Sequence, residues 1–88
     1  MFRIWAKLFK DNRLIKDIVV CNETEELSRT KKVFACLEEV CYHFDLSKPI
    51  WLESNIQEFQ RHDKTRFYSD SFIEPISFAY LEFHVIEE

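Results

Sequence analysis

Residues Ser28 to Phe44, SRTKKVFACLEEVCYHF, decide the fold. Apolar side chains fall at Val33, Cys36, Leu37, Val40, Cys41 and Phe44, the spacing of one face of an α-helix. Lys31, Lys32, Glu38, Glu39 and His43 take the opposite face. Ser28 is placed to cap the helix, and Pro49 disfavours helix just before it, so the end is expected near Asp45. A single helix cannot bury such a stripe alone. The rest of the chain reads mostly as strands, so the expected partner is one sheet, with Leu37, Val40 and Phe44 buried against it.

Upstream, residues 2–10 and 13–21 read as a hairpin about Asp11-Asn12, a pair suited to a two-residue turn. A regular ladder through that turn pairs Lys10 with Arg13, Leu8 with Ile15, Ile4 with Val19 and Phe2 with Cys21. One face then carries Phe2, Ile4, Ala6, Leu8, Ile15, Val19 and Cys21, interrupted only by Asp17, and is the expected core face. The other carries Arg3, Trp5, Lys7, Phe9, Leu14, Lys16, Ile18 and Val20. A slip of one residue would exchange these sets. Asn22 to Leu27 is a polar loop into the helix.

Downstream, Lys48 to Leu52 reads as a short strand or extended piece. Ser54-Asn55-Ile56-Gln57 has the form of a capping box, and Leu52, Ile56 and Phe59 fit a short helix over Asn55 to His62. Arg66 to Ser69 and Phe72 to Glu74 read as strands about the turn-prone Asp70, with Pro75 interrupting the ladder. Ser77 to Glu87 alternates. Ala79, Leu81, Phe83 and Val85 face one way; Phe78, Tyr80, Glu82, His84 and Ile86 face the other.

The expected order is therefore strand–strand–helix–strand–short helix–strand–strand in a single α+β domain over residues 1–88. A mixed sheet on one main helix, with this order, resembles the β-grasp or ubiquitin-like arrangement. There the last strand joins the first in parallel at the sheet centre. An antiparallel α+β two-layer sandwich is the alternative. Ubiquitin-like carriers end in diglycine; this chain ends Val85-Ile86-Glu87-Glu88.

Glycine is absent, where about six would be usual at ~7%. That excludes the P-loop, the dinucleotide fingerprint and the nucleophile elbow, which need glycine for close backbone approach or a sharp turn. Turns must use Asn and Asp instead. The three cysteines lack C-x-x-C spacing and lie in or beside apolar runs, so reduced buried thiols are expected, without metal or cofactor. The charged opening MFRIWAKLF lacks a signal-peptide core. No apolar run approaches the ~18 residues of a membrane span. A cytoplasmic protein without membrane partners is the expectation.

The segments FRIWAKLFKDNRLIKD, KPIWLESN and FIEPISFAYLEFHVIE resemble a family of short uncharacterised bacterial proteins of the anaerobic Gram-positive type. The resemblance spans nearly the whole chain. It implies a bacterial cytoplasmic origin and carries no activity and no site residues.

Charge is uneven. Residues 1–32 hold eight Lys/Arg against five acids, and residues 33–88 hold four against eleven. Chance and intrachain pairing are the first explanation, and a basic patch for an acidic partner is the alternative. His43, His62 and His84 fall on three different elements, with no spacing that suggests a metal or a general base. Ser69-Asp70-Ser71 with His62 has the residue types of a hydrolase triad but no nucleophile turn. No catalytic motif is present, so a non-enzymatic protein is expected.

The second sheet face is the candidate site. Trp5 and Phe9 stand there with Arg3, Lys7 and Lys16. If the last strand lies beside the first, Phe78, Tyr80 and His84 join them. Such a face suits a protein partner or self-association as a homodimer. Its alternative use is as a stacking platform for single-stranded nucleic acid, which the net charge of −4 opposes. A further reading is that loops or the short helix simply cover it.

Overall fold

The computed structural model describes all 88 residues. Strand β1 (Phe2–Lys10) and strand β2 (Arg13–Asn22) form the hairpin. Asp11 and Asn12 both take positive φ, 54° and 63°, the requirement of the tight turn whose twist matches the flanking strands. Helix α1 (Arg29–Phe44) follows, then helix α2 (Glu53–His62), strand β3 (Lys64–Phe67), a short 3₁₀ turn at Ser69–Ser71 and strand β4 (Tyr80–Glu87). The sheet order is β2-β1-β4-β3, with every neighbour antiparallel.

The α+β class and the placing of the last strand beside the first hold. The parallel join of the β-grasp arrangement does not: β4 runs antiparallel to β1, as in the two-layer sandwich. β4 takes its direction from β3, its antiparallel partner across Tyr68–Ala79. The chain enters β3 directly from α2, turning at Asp63 in the left-handed region. Lys48 to Leu52 is not a strand. It links α1 to α2 without regular structure, tied by Ile50 N–H to the Ser71 carbonyl at 2.7 Å, and it delivers Trp51 to the core. Phe72 to Glu74 is likewise outside the sheet.

Helix α1 forms where its stripe places it. Ser28 Oγ accepts from Lys31 N–H. At the other end Asp45 adopts φ 57°, and Leu46 N–H reaches back to the Cys41 carbonyl at 2.8 Å, closing a Schellman-type end. Val33, Cys36, Leu37, Val40 and Cys41 are buried, and Phe44 is half-buried against them. Helix α2 starts two residues earlier than expected. Leu52 N–H donates to Asn55 Oδ1 at 3.0 Å, so Asn55 supplies the helix start in place of Ser54.

Both helices lie on one face. Phe2, Ile4, Ala6 and Leu8 of β1, Phe67 of β3 and Leu81, Phe83 and Val85 of β4 join the α1 stripe and Phe59 of α2 in one core. Trp51 sits edge-on to Phe59, Phe67 and Phe83 with ring centroids 5.0–6.3 Å apart. Full burial of a side chain such as Phe83 stabilises by about 2–3 kcal/mol relative to exposure.

The hairpin register differs from a regular ladder. Lys10 pairs with Arg13 and Phe9 with Leu14, but Leu8 pairs with Lys16 and Ile4 with Val20. Ile15 is the extra residue of a β-bulge. Everything after it changes face: Ile18 and Val20 turn to the core, while Asp17, Val19 and Cys21 turn away from the helices, so Cys21 is exposed and not the buried thiol expected. The bulge removes the buried Asp17 that the regular ladder would have required.

Candidate functional site

No element covers the sheet face opposite the helices. Beside the rim row of Cys21, Arg3 and Glu87, cross-strand pairing sorts its side chains into three further rows. Val19, Trp5, His84 and Lys64 form one; Asp17, Lys7, Glu82 and Arg66 the next; Leu14, Phe9 and Tyr80 the third. Of the residues expected on this face, Arg3, Trp5, Lys7, Phe9, Tyr80 and His84 are brought together. Lys16 is not: the bulge places it opposite Leu8, on the helix side of the sheet edge. Phe78 is not either. It precedes β4, is buried, and packs edge-on against Phe72 at 5.9 Å.

The middle row alternates in sign. Lys7 Nζ lies 2.9 Å from Glu82 Oε2, and Arg66 Nε donates to Glu82 Oε1 at 3.2 Å. Burial pushes the Glu82 carboxyl up, yet the hydrogen bonds from Lys7 and Arg66 outweigh it and hold it below the ordinary carboxylate range. Lys7 Nζ also sits 3.7 Å from the Trp5 ring centroid, a cation–π contact. Trp5 Nε1 donates to Asp17 Oδ2 at 2.9 Å. In the third row, Phe9 and Tyr80 stack at 5.1 Å. Tyr68 leans on Tyr80 at 5.3 Å, and the Arg66 guanidinium lies 4.8 Å above the Tyr80 ring.

His84 is half-buried, and its Nδ1 has no hydrogen-bond partner. Burial, then the charges of Lys64 and Lys7, push its pKa down. Arg3 lies at the rim, 3.1 Å from Glu87. Trp5 and Phe9 are half-buried by these neighbours, so the face is a packed layer with exposed apolar ground beside it. Leu14 and Val19 are each 47% exposed.

Sequence reasoning missed Glu82, Arg66 and Lys64 as members of this layer. The signal for Glu82 was its place between Tyr80 and His84 in the β4 alternation, opposite Lys7. No comparable signal marks Lys64, which precedes the expected strand start at Arg66, or Arg66, whose place beside β4 no local pattern shows.

Both Glu82 oxygens are occupied and the group is held ionised. His62 ends α2, and no hydrogen bond joins it to the Ser69–Ser71 turn, where Ser71 Oγ is turned to Asn55. No group of three or more His, Cys, Asp or Glu side chains is placed to hold a metal ion. No helix is long and apolar enough to cross a membrane. Comparison of the chain with protein-family models, with curated proteins and with solved structures gave no significant match.

Proposed function

We propose that the protein is a non-enzymatic interaction module that docks an acidic protein surface with an apolar centre on its helix-free sheet face. One observation carries this reading: Trp5 and Phe9 lie beside the exposed Leu14 and Val19 on a face that no element of the chain covers. Exposed apolar side chains beside aromatic anchors, here on both sides of a charged central row, are typical of protein interfaces. An acidic partner is favoured by Lys64, which stands on this face in the row of Trp5 and His84 and belongs to none of the chain's ion pairs. Use as a single-strand platform has less support. Asp17, Glu82 and Glu87 interleave with the basic groups and would repel phosphates. A bacterial cytoplasm fits the unpaired thiols, of which Cys36 and Cys41 are pushed up to about 11 by burial and stay protonated.

The test is affinity capture from the native cell, followed by reconstitution with the purified partner. Trp5→Ala and Leu14→Lys variants with wild-type thermal stability should lose at least tenfold in affinity. Undiminished binding by both variants would move the interface elsewhere. Oligonucleotide binding that weakens steeply with salt would replace this reading with the nucleic-acid one.

A further inference from the structure

The two edges of the sheet are treated differently. At the β3 edge, α2 seals the backbone. The Glu58 carboxylate accepts from Arg66 N–H at 3.2 Å and from Thr65 Oγ1 at 2.7 Å, and Asn55 Nδ2 donates to the Arg66 carbonyl at 2.9 Å. At the other edge, β2 runs for ten residues with no element beyond it. An uncovered edge is a template for another strand. The first half of β2 is defended by the bulge at Ile15 and by the charges of Lys16 and Asp17. The second half, Ile18 to Asn22, is regular and carries neither charge nor proline.

We propose that β2 pairs antiparallel with β2 of a second copy of this chain, about a two-fold axis at Val19, to give a continuous eight-stranded sheet. The sequence of the strand is self-complementary in that register. Val19 meets Val19 and Ile18 meets Val20, so the three central residues of the seam face apolar partners on the same side of the sheet, with Asp17 opposite Cys21 beyond them. Charge also matches. Arg13 and Lys16 stand at the start of β2, and Glu23, Glu25 and Glu26 follow its end. Antiparallel self-pairing sets the basic start of each copy beside the acidic end of the other: Lys16 lies opposite Asn22, next to Glu23. A parallel arrangement would oppose like charges. The two-fold axis stands perpendicular to the sheet, keeps all four helices on one side and joins the two helix-free faces into one surface. This inference goes beyond the docking reading, because it uses the edge of β2 and leaves Trp5 and Phe9 free.

Sedimentation equilibrium with the full chain tests it. Wild type should be a dimer, and Val19→Lys, which places like charges at the axis, should be a monomer with an unchanged circular dichroism spectrum. Val19→Cys in a Cys21→Ser background should form an intermolecular disulfide on mild oxidation, because Cβ atoms of directly opposed residues lie about 4.5–5.5 Å apart. The Trp5→Ala variant should remain dimeric. A wild-type monomer at millimolar concentration overturns the proposal, as does a dimer that survives Val19→Lys or shows no crosslink at position 19. A monomer that still binds its partner through Trp5 would sink the edge pairing and leave the docking reading standing.

Discussion

Glu82 and His84 are neighbours on one strand face, and the same surroundings act on them in opposite ways. Glu82 is 5% exposed and faces two cations. Removing its charge leaves Lys7, itself largely buried, without a counter-ion. Glu82→Ala is expected to cost about 2–4 kcal/mol in urea melts, and adding Lys7→Met should recover part of it. The depressed Glu82 pKa gives stability that is complete above the ordinary carboxylate range and lost as pH falls through the folded value. His84 acts at higher pH. Its folded pKa is lowered, so above its usual value of about 6.5 it is neutral in both states and contributes nothing. Below that, the unfolded chain takes up the proton more readily and the fold weakens. Thermal stability should decline as pH falls below about 6.5, and His84→Gln should flatten that step while leaving the later decline at and below the carboxylate range.

At the level of elements, the absence of glycine is answered at the turns. The four left-handed residues are Asp11, Asn12, Asp45 and Asp63, the residue types best able to take that conformation after glycine. At the α1 end, Asp45→Gly should therefore be neutral or stabilising by up to about 1 kcal/mol, whereas Asp45→Val should destabilise by about 1–2 kcal/mol. Chemical denaturation of both variants checks this. The same economy made much of the fold legible. The α1 stripe, its Ser28 cap and Asp45 stop, the Asp11-Asn12 turn and the β1 alternation are local, and each was readable from neighbouring residues. The Ile15 bulge was not, because Leu14-Ile15 offers no preference between the two faces. Its trace was the misplaced Asp17, a carboxylate that a regular ladder would have buried. Lys16 and Phe78 were assigned to the site by extending a regular period past the point where the strand breaks it. The direction of β4 depends on how α2 returns the chain, which no local pattern encodes.

Across the molecule, the charge asymmetry turns out to be partly an internal matter. Arg3, Lys7 and Arg29 pair with Glu87, Glu82 and with Asp63 and Glu88, so the basic early part of the chain holds the acidic late part. Of the five basic residues left unpaired in that early part, Lys10, Arg13 and Lys16 lie at the hairpin end, and Lys31 and Lys32 lie in the first turns of α1. The order β2-β1-β4-β3 also sets how the molecule can fold. Its two central strands lie far apart in the sequence, Phe9 against Tyr80 and Arg3 against Glu87. The hairpin and α1 rest on local contacts that form in microseconds. The core cannot close until β4 finds β1, and the entropy of that long loop is lost before the burial of Leu81, Phe83 and Val85 compensates for it. The rate-limiting event should be the meeting of these two strands. Stopped-flow chevrons should then show Val85→Ala slowing refolding, while substitutions on α2 act mainly by speeding unfolding.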